Sequence, residues 1–200
     1  MLIFAWTLLT PMLHAGDYPD LSEAPELVQA EYYRLSDELK KLAGRQHWGG
    51  AARRFAELSS LELPLTYDHW LAGAMAARNL GDTAAAYERL TEAAKLEGNH
   101  EVVDWLWSLD TQFGRVTLRS EVKRPTLEVA QLPMVPDQRA AVQRAQLLVT
   151  ETGSFTGMLP AGDYVLSGHS FTVTPGPQAV EIVITKVEVT QRVVAVADSE

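Results

Sequence analysis

The chain has 200 residues, with 17 basic against 26 acidic side chains and a net charge of -9. Apolar residues make up 46% and charged residues 22%, which supplies enough apolar surface for a folded core and excludes both a disordered chain and a multi-span membrane protein. The chain contains no cysteine, which removes disulfides, thiolate nucleophiles, iron-sulfur clusters and cysteine-based zinc sites. An acidic surface also repels a phosphate backbone, so nucleic acid is not an expected partner.

Residues 1 to 15, MLIFAWTLLTPMLHA, carry no Lys, Arg, Asp or Glu. The run is shorter than the roughly 20 apolar residues that cross a bilayer, and it ends on a small residue, Ala15, before Gly16. This pattern is that of a secretory leader and predicts cleavage after Ala15. The mature protein is then periplasmic or secreted and meets a membrane only transiently during export; if the leader is retained, the protein is cytoplasmic.

The chain changes character near residue 114. From Asp17 to Phe113 there are 9 basic and 17 acidic residues, whereas Gly114 to Glu200 holds 8 and 9, so the acidity belongs to the first half. That half reads at the helical period: Val28, Tyr32, Leu35, Leu39 and Leu42 step by four and three along one face. The second half alternates with period two, as in Val116 and Leu118, Tyr164 and Leu166, Phe171 and Val173, and Val180, Ile182 and Ile184. The expected class is therefore α+β. Its parts are a leader over 1–15, a helical domain over 20–113, a β-sandwich over 114–196 and a tail over 197–200.

A repeat runs through the helical half. Leu35, Trp70 and Trp105 are spaced by 35, and the same shift takes Leu39 to Ala74 to Leu109, Ala51 to Ala86, Phe55 to Leu90 and Leu58 to Ala93. The stretch from Tyr67 to Gly98 resembles a tetratricopeptide repeat, a helix-turn-helix unit of about 34 residues. Trp70 occupies the large first-helix position, Ala74 and Ala77 the small contact positions, Gly81-Asp82 the turn, and Ala86, Leu90 and Ala93 the second-helix stripe. Ala74 stands where the family has glycine, and Gly98 where it has proline. A third first-helix, from about His100 to Phe113, has no second helix after it, so the β half is expected to cover it.

Strands are predicted near Val116–Val122, Leu127–Leu132, Ala145–Thr152, Phe155–Met158, Tyr164–Ser167, Phe171–Thr174, Val180–Thr185 and Val187–Val196, with loops and one edge strand between Val122 and Gln143, where Pro125, Pro133 and Pro136 fall. Leu159-Pro160-Ala161-Gly162 is a predicted turn, because proline presets φ at its second position. The run from Gly153-Ser154-Phe155 through that turn to Tyr164 and Phe171 resembles the small carboxypeptidase-regulatory and PEGA-type sandwiches of bacterial envelope proteins.

No catalytic constellation emerges. Gly168-His169-Ser170 lacks the second glycine and following helix of a nucleophile elbow, and His100-Glu101-Val102-Val103-Asp104 lacks the second histidine of a zinc helix. No phosphate loop occurs, so no catalytic, metal or cofactor residues are nominated and the chain is expected not to be an enzyme. A binding face is easier to place. One step round from the core stripe, Tyr33, Ser36 and Lys40 on the first helix, Asp68, Leu71, Met75 and Arg78 on the third, and Val103, Leu106 and Asp110 on the fifth would face the concave side of a tetratricopeptide-like stack. That face commonly takes a partner segment in the family, and a flexible methionine suits it. The same strip reads equally as core, covered by the first helix or by the β domain. Trp107, offset from Trp105, is a candidate plug for the domain junction. The resemblance implies a non-catalytic protein-protein interaction role in a bacterial envelope; the alternative is a glycan- or wall-binding sandwich with the helices as a spacer, which exposed rings on one sandwich face would favour.

Overall fold

A computed structural model describes residues 19–133, 135–185 and 189–195. The expected leader, the tail and the ends of the last predicted strand lie outside these residues. The chain is α+β: five helices in succession, then two small sheets joined by a sixth helix.

The first five helices are α1 (Glu26–Gly44), α2 (Trp48–Ser59), α3 (Tyr67–Asn79), α4 (Thr83–Leu96) and α5 (His100–Gln112). Each packs on the next, and α1 also meets α3. The buried positions follow the expected stripes: Tyr32, Leu35 and Leu39 on α1, Ala51, Phe55 and Leu58 on α2, Ala74 and Ala77 on α3, and Ala86, Leu90 and Ala93 on α4. Alanine dominates α3 and α4 because two helices approach closely only where side chains are small. Side-chain caps set the starts of the later helices. Asp82 accepts from the Ala85 amide at 3.2 Å and Asn99 from the Glu101 amide at 2.9 Å, which satisfies amides that have no helical partner.

The first sheet has the order β3-β1-β6-β7 and the second β2-β4-β5. Their strands are β1 (Phe113–Ser120), β2 (Leu127–Val129), β3 (Ser154–Pro160), β4 (Gly162–Leu166), β5 (His169–Val173), β6 (Gly176–Ile184) and β7 (Val189–Ala195). Pairing is antiparallel except between β1 and β6. Strand β2 is one of the two edge strands of its sheet, as expected for that proline-flanked stretch. Val116, Leu118, Phe155 and Ile182 of one sheet and Tyr164, Leu166, Phe171 and Val173 of the other share a single core. The Pro160-Ala161-Gly162 turn carries the chain from the first sheet into the second, and the Tyr164 hydroxyl donates back to the Pro160 carbonyl at 2.8 Å. Burial pushes that phenol well above its ordinary pKa.

One expectation fails. The predicted strand Ala145–Thr152, together with the loop before it, is helix α6 (Pro136–Thr152). Its buried residues Ala141, Val142, Ala145 and Val149 are spaced at the helical period, and Pro136 sits in its first turn where no amide is needed. The apolar run Leu147-Leu148-Val149 has strand propensity, but a helix buries Val149 in the sheet core while leaving Leu147 exposed.

Helix α6 runs beside β3 and also touches α3. A third core cluster joins the two halves: Ala74, Leu90, Val102 and Leu109 of the helices pack with Phe113 of β1, Ala141 of α6 and Met158 of β3. The last unpaired helix, α5, thus buries its stripe with help from the β half. At this seam Gly81 has φ +76 and its Cα lies so close to α6 that a Cβ would fall 2.3 Å from the Ala140 carbonyl oxygen. Gly81→Ala combines left-handed strain with a backbone clash and is expected to lower stability by about 2–4 kcal/mol, measured by urea unfolding. An unchanged midpoint would mean that α6 does not rest on this turn.

Candidate functional site

The nominated face begins on α1 and α3, and a buried polar knot sets their relation. Thr66 caps α3: its hydroxyl accepts from the His69 amide at 3.4 Å, while Nδ1 of His69 accepts from the Thr66 amide at 3.2 Å. The Tyr32 hydroxyl of α1 donates to the Pro64 carbonyl at 2.9 Å and lies 3.4 Å from the same Nδ1, with the two rings edge to face at 5.6 Å. An accepting Nδ1 places the ring proton on Nε2 and keeps the imidazole neutral. Burial accordingly lowers the His69 pKa to about 4. His69 is therefore a packing residue that fixes where α3 starts.

The nominated residues do not share one environment. Tyr33 and Lys40 are exposed on α1, and Asp68 is exposed in the first turn of α3. Leu71 and Leu106 are partly buried and pack against the third core cluster. Met75 and Val103 remain 38% and 48% exposed. Ser36 is buried, its hydroxyl donating to the Tyr32 carbonyl at 2.7 Å, and Asp110 is exposed, accepting from the Tyr87 hydroxyl at 3.4 Å. Trp107 is 68% exposed and does not plug the junction. It stands four residues after Val103, so the two share one outward stripe of α5.

Arg78 is engaged at the seam. Its Nε and one terminal nitrogen donate to a single oxygen of Asp137 on α6, at 2.9 and 2.7 Å, while its guanidinium lies 4.7 Å from the ring centre of Trp105. A neighbouring pair, Arg144 to Asp82 at 2.7 Å, uses the second oxygen of the carboxylate that caps α4. Arg78 thus ties together α3, α5 and α6.

A second feature was not assembled by the sequence reading. An open depression of about 580 Å3 is lined by Trp70 of α3, by Tyr87, Glu88, Arg89, Thr91 and Glu92 of α4, and by Arg115 of β1. The Arg89 guanidinium lies 4.3 Å from the Phe55 ring centre and donates to the Gly73 carbonyl at 2.7 Å; burial lowers its pKa from the ordinary arginine value. Arg115 lies 5.3 Å from the ring centre of Tyr87. Among the described residues neither guanidinium is in an ion pair within 4.0 Å, although Asp82 and Glu88 favour the charged form of Arg89, and Glu92 is paired with Lys95 at 2.7 Å. No motif links Arg89 to Arg115 in the sequence; the packing of α4 on β3, which pairs with β1, brings them to one depression.

Among the described residues no group of three or more His, Asp or Glu is placed to hold a metal ion, and no helix is long and apolar enough to cross a membrane.

The His69 knot generates a pH prediction. Its folded pKa lies below the unfolded value of about 6.5, so at lower pH the unfolded chain binds a proton that the folded chain refuses, and stability falls as pH drops from about 6.5 to about 4. The shift corresponds to a loss of about 3 kcal/mol. His69→Gln keeps a side chain able to complete the helix cap but removes the titration. Urea unfolding across this range should give a shallower acid limb for the variant, and parallel limbs would contradict the assignment.

No protein-family model matches the chain, and no curated protein and no solved structure matches it.

Proposed function

We propose that this chain is a non-catalytic protein-protein interaction protein of a bacterial envelope, whose tetratricopeptide-like helical layer holds a segment of a partner protein. The observation that carries the reading is the outward stripe of α5, where Val103 and Trp107 are exposed on a helix whose opposite stripe is buried. Large apolar side chains presented together on a rigid helix are what a partner segment buries, and tryptophan is the residue type most enriched among those that dominate such contacts. Five successively packed helices, whose apolar residues match at a 35-residue spacing, support the tetratricopeptide-like assignment, and the apolar, uncharged run of residues 1 to 15 supports export. Met75 on α3 adds a flexible apolar contact, with Asp68 and Lys40 as polar neighbours in the nominated set. The glycan-binding alternative calls for exposed rings on the sandwich, and Phe155, Tyr164 and Phe171 are all in its core.

The test is photocrosslinking in a bacterial host with a crosslinking amino acid placed at Met75, Val103 or Trp107 of the full chain, and at exposed Leu147 on α6 as a control. Discrete adducts are expected from the first three positions. Adducts from Met75 should drop about tenfold when Val103→Ser and Trp107→Ser are combined, with the melting temperature unchanged. Equal adducts from Leu147, or adducts indifferent to the double substitution, would overturn the reading.

A further inference from the structure

We propose that the depression between α4 and β1 binds a carboxylate carried by a polypeptide next to an apolar side chain, with Arg89 and Arg115 as its cationic contacts. This inference does not rest on the α3 and α5 face.

Two guanidiniums line one depression, and neither is in an ion pair within 4.0 Å among the described residues, although the Asp82 and Glu88 carboxylates act on Arg89 from farther away. Glu92 is held by Lys95, so Glu88 is the lining carboxylate left beside the two arginines. Each guanidinium lies near a ring, Arg89 at 4.3 Å from the Phe55 ring centre and Arg115 at 5.3 Å from that of Tyr87, which holds both cations at the depression without a carboxylate. Arg89 gives one terminal nitrogen to the Gly73 carbonyl, which holds the group in place, and a guanidinium carries further N–H donors. A planar carboxylate matches a guanidinium edge in a way that a spherical anion does not. The rings of Trp70 and Tyr87 supply the apolar wall for the neighbouring side chain.

Charge and backbone geometry argue against a phosphate. Glu88 and Glu92 also line the depression and oppose a dianion or a polyanion. The α4 residues involved, Tyr87 to Glu92, lie past the first turn of a helix that starts at Thr83, so no helix N-terminus offers free amides there.

The experiment titrates the full-length protein with four probes: N-acetyl-leucyl-phenylalanine with a free terminal carboxylate, its amide, N-acetyl-glutamyl-phenylalanine amide, and inorganic phosphate. Tryptophan fluorescence and the Trp70 indole N–H resonance report binding. The free acid should bind at least about tenfold more tightly than its amide and than phosphate. Arg115→Gln should abolish the preference for acid over amide with the unfolding temperature unchanged, and Arg115→Lys, which keeps the charge but not the planar fork, should reduce it. If the glutamyl amide equals the free acid, the carboxylate comes from a side chain; if it binds as weakly as the leucyl amide, the carboxylate is terminal. Both outcomes are forms of the proposal. It is overturned if acid and amide bind alike or not at all, if Arg115→Gln keeps the preference, or if phosphate binds as tightly as the acid.

Discussion

A stack of helical hairpins that ends on an odd helix has an apolar stripe with nothing to cover it, and most of this molecule's arrangement follows from how α5 is covered. Val102 and Leu109 cannot be buried by α4 alone, so Phe113, Ala141 and Met158 from the second half complete the cluster around them. That packing requires α6 to lie against the α3-α4 turn, which only a glycine at position 81 permits. Two arginine-aspartate pairs flank the same contact. They are partly exposed and contribute modestly to stability; their consequence is orientation, since Arg78 spans three helices and Asp82 both caps α4 and holds Arg144.

Aromatic rings carry much of the positive charge on the inner surfaces of the helical half and its border. Arg78 lies on Trp105, Arg89 on Phe55 and Arg115 on Tyr87. On the outer side of α1 and α2 the arginines behave differently: Arg34 is shared by Glu31 and Glu38, and Arg54 by Glu38 and Glu57. The acidic excess of the first half is thus partly compensated on its outside, while near the junction Arg78 and Arg144 pair with aspartates and Arg89 and Arg115 are held by rings and a carbonyl.

The motif most suggestive of chemistry also has a structural explanation. Gly168-His169-Ser170 belongs to a hairpin: Ser167 and Gly168 both have positive φ, and Leu166 pairs with His169 across a two-residue turn. That geometry is the tight turn favoured by the twist of adjacent antiparallel strands, and it leaves His169 and Ser170 exposed on a strand with no helix behind them.

Much of the architecture was legible because it depends on periodicity. The helical stripes from Tyr32 to Leu109, the change of period near residue 114, and the turns at Gly81-Asp82 and Pro160-Ala161-Gly162 can each be read locally. Helix α6 was missed because Leu147-Leu148-Val149 looks like a strand over three residues, although Ala141, Val142, Ala145 and Val149 repeat at the helical period and Gly153 closes the helix. The nominated face was legible only as a list of outward positions. Whether Leu71 and Leu106 would join the core while Val103 and Trp107 stayed exposed, and whether Arg78 would meet Asp137, depended on where α6 came to rest. By itself the sequence determined the α+β class, the succession of helices and most of the strands, because hydrophobic period and turn chemistry act between near neighbours. The tertiary structure alone decided the seam and the pairing of Arg89 with Arg115 in one depression, because those contacts join residues far apart in the chain and no local preference encodes them.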